Sequence, residues 1–334
     1  MESIRIPYKQ DDFGNDIFAR VSWAKNKRQS PRPIGILSSL CKTSACIPAN
    51  FCPALIFHGG GLLVGSSEII PRPQIDWLAV HGFLVVIPNY RLAPQVTGAT
   101  SLSDGVEAHD WAASGLADTM KSHGVQINTS EIAVMGHSSG GTLALHVGSC
   151  RPVKAVTAFY PSLYLADESS DAHKPYSGPP FGNVPDYVPT EEEWQTIAPA
   201  NKQISETSLA APNMPPSPRS RWQVDVCTKG KWISSLCPDG DYASIDPLTR
   251  LNANWPPVMF VSGETDTIPG STLDLVKRAE EDMRKAGLKE VMVEIVPGVG
   301  HMFDLLKPLG AEDLGSEWQS VVAGLKFLKD HVKY

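Results

Sequence analysis

Apolar runs of strand length alternate with segments whose apolar residues recur at helical spacing. ALIFHGG (54–60) ends in glycines; Ile75, Leu78 and Ala79 then have helical spacing, and FLVVIPNY (83–90) reads as a buried strand. Leu102, Val106, Ala108, Trp111, Ala112 and Leu116 predict one amphipathic helix across 101–121. EIAVMG (131–136) is the next strand, TLALHVG (142–148) a helix and KAVTAFYP (154–161) another strand. The rhythm returns in PPVMFVSGETD (256–266), a helix over 271–286, the strand VMVEIVPG (291–298) and a last helix through Trp318, Val321, Leu325 and Phe327. Continuous apolar strands alternating with helices predict an α/β fold, a mostly parallel sheet covered on both faces. Residues 1–50 read as strands and a loop, with IRIPY and IFARVSW apolar enough to extend the sheet.

Between about 162 and 250 the alternation stops. Prolines stand at 175, 179, 180, 185, 189, 199, 212, 215, 216 and 218, and each fixes φ and removes a hydrogen-bond donor. Such a stretch forms neither a central strand nor a long unbroken helix. Trp194, Trp222 and Trp232 lie inside it, which favours a packed segment over a disordered surface loop. The chain is therefore expected to have an α/β core from 1–161 and 251–334, with 162–250 inserted as a lid. No internal repeat interrupts this picture.

Composition narrows the class. Of 334 residues, 42% are hydrophobic and 19% charged, enough to bury a large core. A formal charge of −7 disfavours nucleic acid or an anionic membrane as the main partner, since both reward a basic surface. MESIRIPYKQDD at the N-terminus has no apolar core of the secretory kind, and no stretch approaches the ~20 apolar residues of a membrane span. Six cysteines without a CxxC pair read as idle thiols in a reducing compartment. A soluble, cytoplasmic protein acting on a small molecule is the expectation, its oligomeric state open.

Three glycine-bearing motifs carry the chemistry. Gly136-His137-Ser138-Ser139-Gly140 follows the strand EIAVM and precedes a helix, the context of a nucleophile elbow. Glycines two before and two after the serine relieve the crowding of a sharp strand-to-helix turn. The helix that starts there aims its free N–H groups at the site. His58-Gly59-Gly60-Gly61 ends a strand, and its bare backbone can present N–H groups to an oxyanion. Gly59, Gly60 and Ser139 are assigned as the donors, with Gly61 available to assist; losing one such donor typically costs ~10²–10³ in rate. His58 is expected to brace this loop. His301, in Gly300-His301-Met302-Phe303 past the last strand, is the candidate general base, since a free imidazole titrates near ~6.5. His137 adjoins the nucleophile, but its side chain should point away from the hydroxyl. The acid should lie on the loop Gly263-Glu264-Thr265-Asp266. Asp266 is favoured over Glu264 because it sits further along that loop, and the order Ser, Asp, His then fits. Its role is to orient the histidine and stabilise the imidazolium.

With these residues in hand, the chain resembles the hormone-sensitive-lipase-like branch of the α/β-hydrolases. The likeness rests on HGGG (58–61), Tyr90-Arg91-Leu92-Ala93-Pro94, GHSSGG (136–141), the GETD loop and the GHMF loop, across about 50–161 and 251–334. It implies cleavage of carboxylic esters without cofactor or metal, with Tyr90 and Arg91 as structural braces near the glycine loop. Asn89 and Gln95 stand where members often carry Asp and Glu, so a salt bridge should give way to neutral hydrogen bonds. Many members also have an N-terminal helical cap, whereas the irregular segment here lies mid-chain. The overall texture is similar to hydrolases of fungal polyketide pathways. Three readings follow: a serine carboxylesterase working through an acyl-enzyme; a biosynthetic hydrolase, cyclase or acyltransferase on a polyketide-like acyl chain; or a non-catalytic binding scaffold, which a missing triad member would have favoured.

Overall fold

A computed structural model of the chain describes residues 1–25, 50–179, 181, 185–207, 215–305 and 315–334. The most apolar runs become the centre of an eight-stranded sheet. Every residue is buried in β3 (Cys52–Phe57), β4 (Phe83–Pro88), β5 (Ala133–His137), β6 (Val156–Phe159) and β7 (Val258–Gly263). The order is β1-β2-β4-β3-β5-β6-β7-β8, with β8 (Val291–Val296) at one edge and β1 (Glu2–Gln10) at the other. All pairs from β4 to β8 are parallel, while β1 and β2 (Asp16–Trp23) form an antiparallel extension. The expected N-terminal strands are thus present; the loop after them, with Cys41 and Cys46, lies outside the described residues. Cys52, Cys150, Cys227 and Cys237 are unpaired thiols.

Successive strand residues point to opposite faces, so each face has its own core. Leu55, Phe57, Val134 and Phe260 pack with helices α2 (Gly98–Ser114), α3 (Leu116–Lys121), α4 (Ser139–Cys150) and α8 (Leu273–Lys285). Ala54, Ile56, Val85 and Met135 pack with α1 (Arg72–Val80) and α9 (Glu317–His331). The buried positions of α8, Val276, Ala279 and Met283, keep the three- and four-residue spacing of an amphipathic helix. One expectation is refined: the single helix over 101–121 is two, parted at Gly115, whose N–H closes α2 on Trp111 O.

The segment 162–250 contains short helices: α5 (Glu191–Ile197), α6 (Pro218–Thr228) and α7 (Trp232–Leu236), with 3-10 turns around them. Proline sets their limits. Pro218 occupies the first position of α6, where a missing N–H costs nothing, and Ser217 caps it. Thr190 and Glu193 make a reciprocal capping box on α5. Trp222 and Trp232 are buried, and Trp194 stands edge-on to Trp222 at 6.2 Å. Among the described residues no helix is long and apolar enough to cross a membrane.

Candidate active site

In an open parallel sheet, loops past the carboxyl ends of the strands converge on one edge. Here β3 leads into the glycine loop, β5 into Ser138, β7 into Asp266 and β8 into His301. The three predicted side chains meet. His301 Nε2 lies 2.9 Å from Ser138 Oγ, and His301 Nδ1 lies 2.7 Å from Asp266 Oδ2. Asp266 is buried, and its other oxygen accepts the Ile268 N–H at 2.9 Å. Glu264 turns the other way and accepts the Gly298 N–H at 2.9 Å.

Ser138 sits at φ 55° and ψ −126°, a conformation that costs on the order of 1–3 kcal/mol. Its N–H donates to Phe159 O at 2.9 Å and its carbonyl accepts the Gly141 N–H at 2.7 Å, which over-determines the turn. A methyl at Gly136 would meet Gly140 O at 2.0 Å, and one at Gly140 would meet both Phe57 O and His58 O at 2.3 Å. Backbone cannot yield to such contacts, so both positions require glycine.

Two of the predicted oxyanion donors, Gly59 and Gly60, line the same space as Ser138 and His301. The N–H groups of Gly59, Gly60 and Ser139 have no hydrogen-bond partner among the described residues. A Cβ at Gly59 would lie 3.2 Å from Ser138 Cβ, so that backbone abuts Ser138. Ser139 opens α4, whose positive dipole end adds to the field there. His58 and Tyr90 brace the loop: His58 Nδ1 donates to Gly59 O at 2.8 Å, and the Tyr90 hydroxyl donates to His58 O at 2.6 Å. The His58 ring stacks on Tyr90, with centroids 4.3 Å apart, and burial pushes its pKa down to about 4. Arg91 braces a different place. Its guanidinium clasps the buried Asp104 carboxylate of α2 at 2.7 Å and does not touch the glycines.

Two neutral amides, Asn89 and Gln95, form hydrogen bonds near this loop. Asn89 accepts from Ser67 N at 2.7 Å and donates to Glu206 at 2.7 Å. Gln95 donates to Pro199 O at 2.9 Å and accepts from Ile204 N at 3.0 Å, which ties the inserted segment down.

A polar cluster behind His301 had no sequence signal beyond an aspartate three residues later. The Asp304 side chain is buried and accepts hydrogen bonds from Tyr160 and from Gln74, the latter at 2.5 Å. His137 points into the same cluster, away from the Ser138 hydroxyl, with Nε2 3.1 Å from Asp304 and 3.0 Å from Gln74. Burial would raise the Asp304 pKa, but His137, Tyr160 and Gln74 together hold it below the ordinary carboxylate range. The Tyr160 ring meets the His301 ring edge-on at 4.7 Å, so the cluster buttresses the imidazole.

A cavity of about 480 Å³ opens onto Ser138 and His301. Its walls are mostly apolar, with Tyr176, Phe181 and Trp232 contributed by the inserted segment. Among the described residues no three His, Cys, Asp or Glu side chains gather as a metal-holding group.

Comparison with known proteins adds to this geometry. A profile of the alpha/beta hydrolase fold matches residues 54–213. A non-reducing polyketide synthase of Penicillium rubens is 28% identical over 316 residues, covering 84% of this chain but 12% of its own length. The chain thus spans about an eighth of the polyketide synthases it matches. Among solved structures, a butyrate-bound thermophilic esterase of Thermogutta terrifontis superposes with TM-score 0.58 at 18% identity, over 98% of this chain and 94% of that one. A Staphylococcus aureus protein of unknown function gives TM-score 0.66 at 17% identity, over 98% and 100%. Sheet order, motif positions and these matches agree: the chain has the α/β-hydrolase fold.

Proposed function

We propose that the protein is a serine hydrolase of carboxylic esters that works through an acyl-enzyme. The observation that carries this reading is the continuous line from Asp266 through His301 to Ser138 Oγ. Ser138 Oγ attacks the ester carbonyl while its proton passes to His301 Nε2. Asp266 holds the Nδ1–H, fixes the tautomer and stabilises the imidazolium. The carbonyl oxygen becomes an oxyanion within reach of the Gly59, Gly60 and Ser139 N–H groups, with Gly61 beside them. Collapse expels the alcohol, which takes the proton from His301. Water, activated by the same imidazole, then releases the acid. Residues 162–250 act as a lid over this chemistry, and the cycle itself calls for no cofactor.

Two observations favour a second reading, in which the acyl group is large and polyketide-like. The cavity of about 480 Å³ is in the range of drug-sized ligands and well beyond a short acyl chain. The relatives named as non-reducing polyketide synthases support the same substrate class. On that reading the acyl-enzyme is released by water, by an internal nucleophile in cyclisation, or by transfer to an alcohol.

Fluorophosphonate labelling and p-nitrophenyl esters of short and long acyl chain test both readings. Labelling and turnover are expected in the wild type and absent in Ser138→Ala. Rapid short-chain turnover supports the general esterase; labelling without simple-ester turnover supports the polyketide-like substrate. A wild type that is neither labelled nor active refutes the serine mechanism.

A further inference from the structure

Each of the six carbonyls from His58 to Leu63 accepts a hydrogen bond, and three of them accept one from a side chain of the inserted segment. Tyr90 holds His58 O at 2.6 Å and His58 Nδ1 holds Gly59 O at 2.8 Å. Gln223 Nε2 donates to Gly60 O at 3.2 Å, joined there by the Leu63 and Val64 amides at 3.1 Å. Trp232 Nε1 donates to Gly61 O at 2.8 Å, Ala93 N to Leu62 O at 3.0 Å, and Arg219 Nε to Leu63 O at 2.6 Å.

These bonds act on the amides. In a planar trans peptide the C=O and the following N–H point to opposite sides, so pinning one fixes the other. Tyr90 and His58 thereby aim the Gly59 and Gly60 N–H groups. Gln223 aims that of Gly61. Trp232 aims that of Leu62, which donates to Ser139 Oγ at 3.2 Å and so ties the glycine loop to the head of α4. The backbone needs such support: Gly60, Gly61 and Leu62 all have positive φ, at 121°, 68° and 59°. Glycine adopts such values freely, but Leu62 is strained there and persists only where its surroundings hold it.

Arg219 completes the clamp. Among the described residues its buried guanidinium has no carboxylate partner; it donates to the carbonyls of Leu63, Ile197, Leu92 and Ala93. One side chain thus joins the glycine loop, the Tyr90–Pro94 turn and the end of α5. Burial lowers its pKa to about 10, which leaves it charged at neutral pH.

We propose that Gln223, Trp232 and Arg219 are positioning residues of the oxyanion hole, so that the inserted segment shapes the hole as well as covering the cavity. This rests on the serine-hydrolase reading. Lifting α6 and α7 would withdraw the side-chain supports of Gly60 O, Gly61 O and Leu63 O and so loosen the hole that Tyr90 and His58 hold from the other side.

Trp232→Phe and Gln223→Leu, made separately in the full chain, test this. Each is assayed for kcat, KM and affinity for a matched pair of ketones carrying the same acyl group. With the trifluoromethyl ketone, Ser138 Oγ bonds to the carbonyl carbon, the π pair moves onto oxygen, and the serine proton goes to His301; the methyl ketone stays planar. Expected is a loss of about tenfold in kcat with KM within about twofold, a matching loss of trifluoromethyl ketone affinity, and unchanged methyl ketone affinity. Losses confined to KM, or equal for both ketones, would mean that these side chains are only cavity wall and overturn the inference. If Trp232→Phe does not fold, Gln223→Leu decides alone. Unaltered kcat in the variants against an active wild type refutes only this inference. A wild type that reacts with neither fluorophosphonate nor ketone refutes the serine mechanism beneath it.

Discussion

Asp266 and Glu264 are two residues apart, carry the same charge, and point in different directions. The Asp266 carboxylate meets His301 Nδ1 at 2.7 Å, whereas Glu264 caps the Gly298 amide. Their substitution separates the roles. Asp266→Asn keeps the shape but offers the imidazole the wrong tautomer, and kcat should fall by roughly 10⁴. Glu264→Gln should leave kcat within about twofold, the scale of an ordinary surface change. Steady-state kinetics on one ester measures both; equal losses would move the acid to Glu264. The sequence favoured Asp266 through its place along the loop. It had no comparable handle on Asp304 and Tyr160, because their partnership with Gln74 joins helix α1 to two loops far apart in the chain.

At the scale of elements, the turn at Ser138 depends on how closely β3 and α4 approach. Gly140 lies against the carbonyls of Phe57 and His58, where no Cβ fits. Gly140→Ala should therefore cost about 3 kcal/mol or more, above most overpacking changes because backbone must move. Urea denaturation measures that loss, and fluorophosphonate labelling should fall with it. A stable, fully labelled variant would show that the helix can shift at little cost. Elements of the core were legible because their signals are local: continuous apolar runs for the buried strands, three-and-four spacing for α8 and α9, glycines around Ser138. The inserted segment was legible mainly by what it lacked. Its caps at Thr190 and Ser217 are local, but which surface Trp232 meets was not, since the hydrogen bond to Gly61 spans 171 residues.

Across the whole molecule, buried histidines set an acid limit. Burial holds His58 near a pKa of about 4; burial, with Arg250 donating to Nδ1 at 2.8 Å, holds His146 near the same value. Both stay neutral in the fold, whereas in the unfolded chain each takes up a proton below ~6.5. The unfolded state then binds more protons, so stability falls as pH drops from about 6.5 to about 4 and levels below that. Each site contributes a loss of about 3 kcal/mol over that window, at ~1.4 kcal/mol per pH unit. Melting temperature recorded at pH 7, 5.5 and 4.5 should decline stepwise, and more shallowly in His146→Gln. Melting temperatures that do not change across this range would mean that neither site stays neutral on folding.

The one-dimensional pattern determined the sheet and singled out Ser138, His301, Asp266 and the glycine loop that the fold brings together, because each depends on residue type at short spacing. Tertiary structure decided what surrounds them: the Asp304 cluster behind His301, the cavity walls and the hold of Arg219, Gln223 and Trp232 on the glycine loop. Those contacts join segments more than a hundred residues apart. Their hydrogen-bond geometry arises only once the inserted segment has packed, and no local spacing records it.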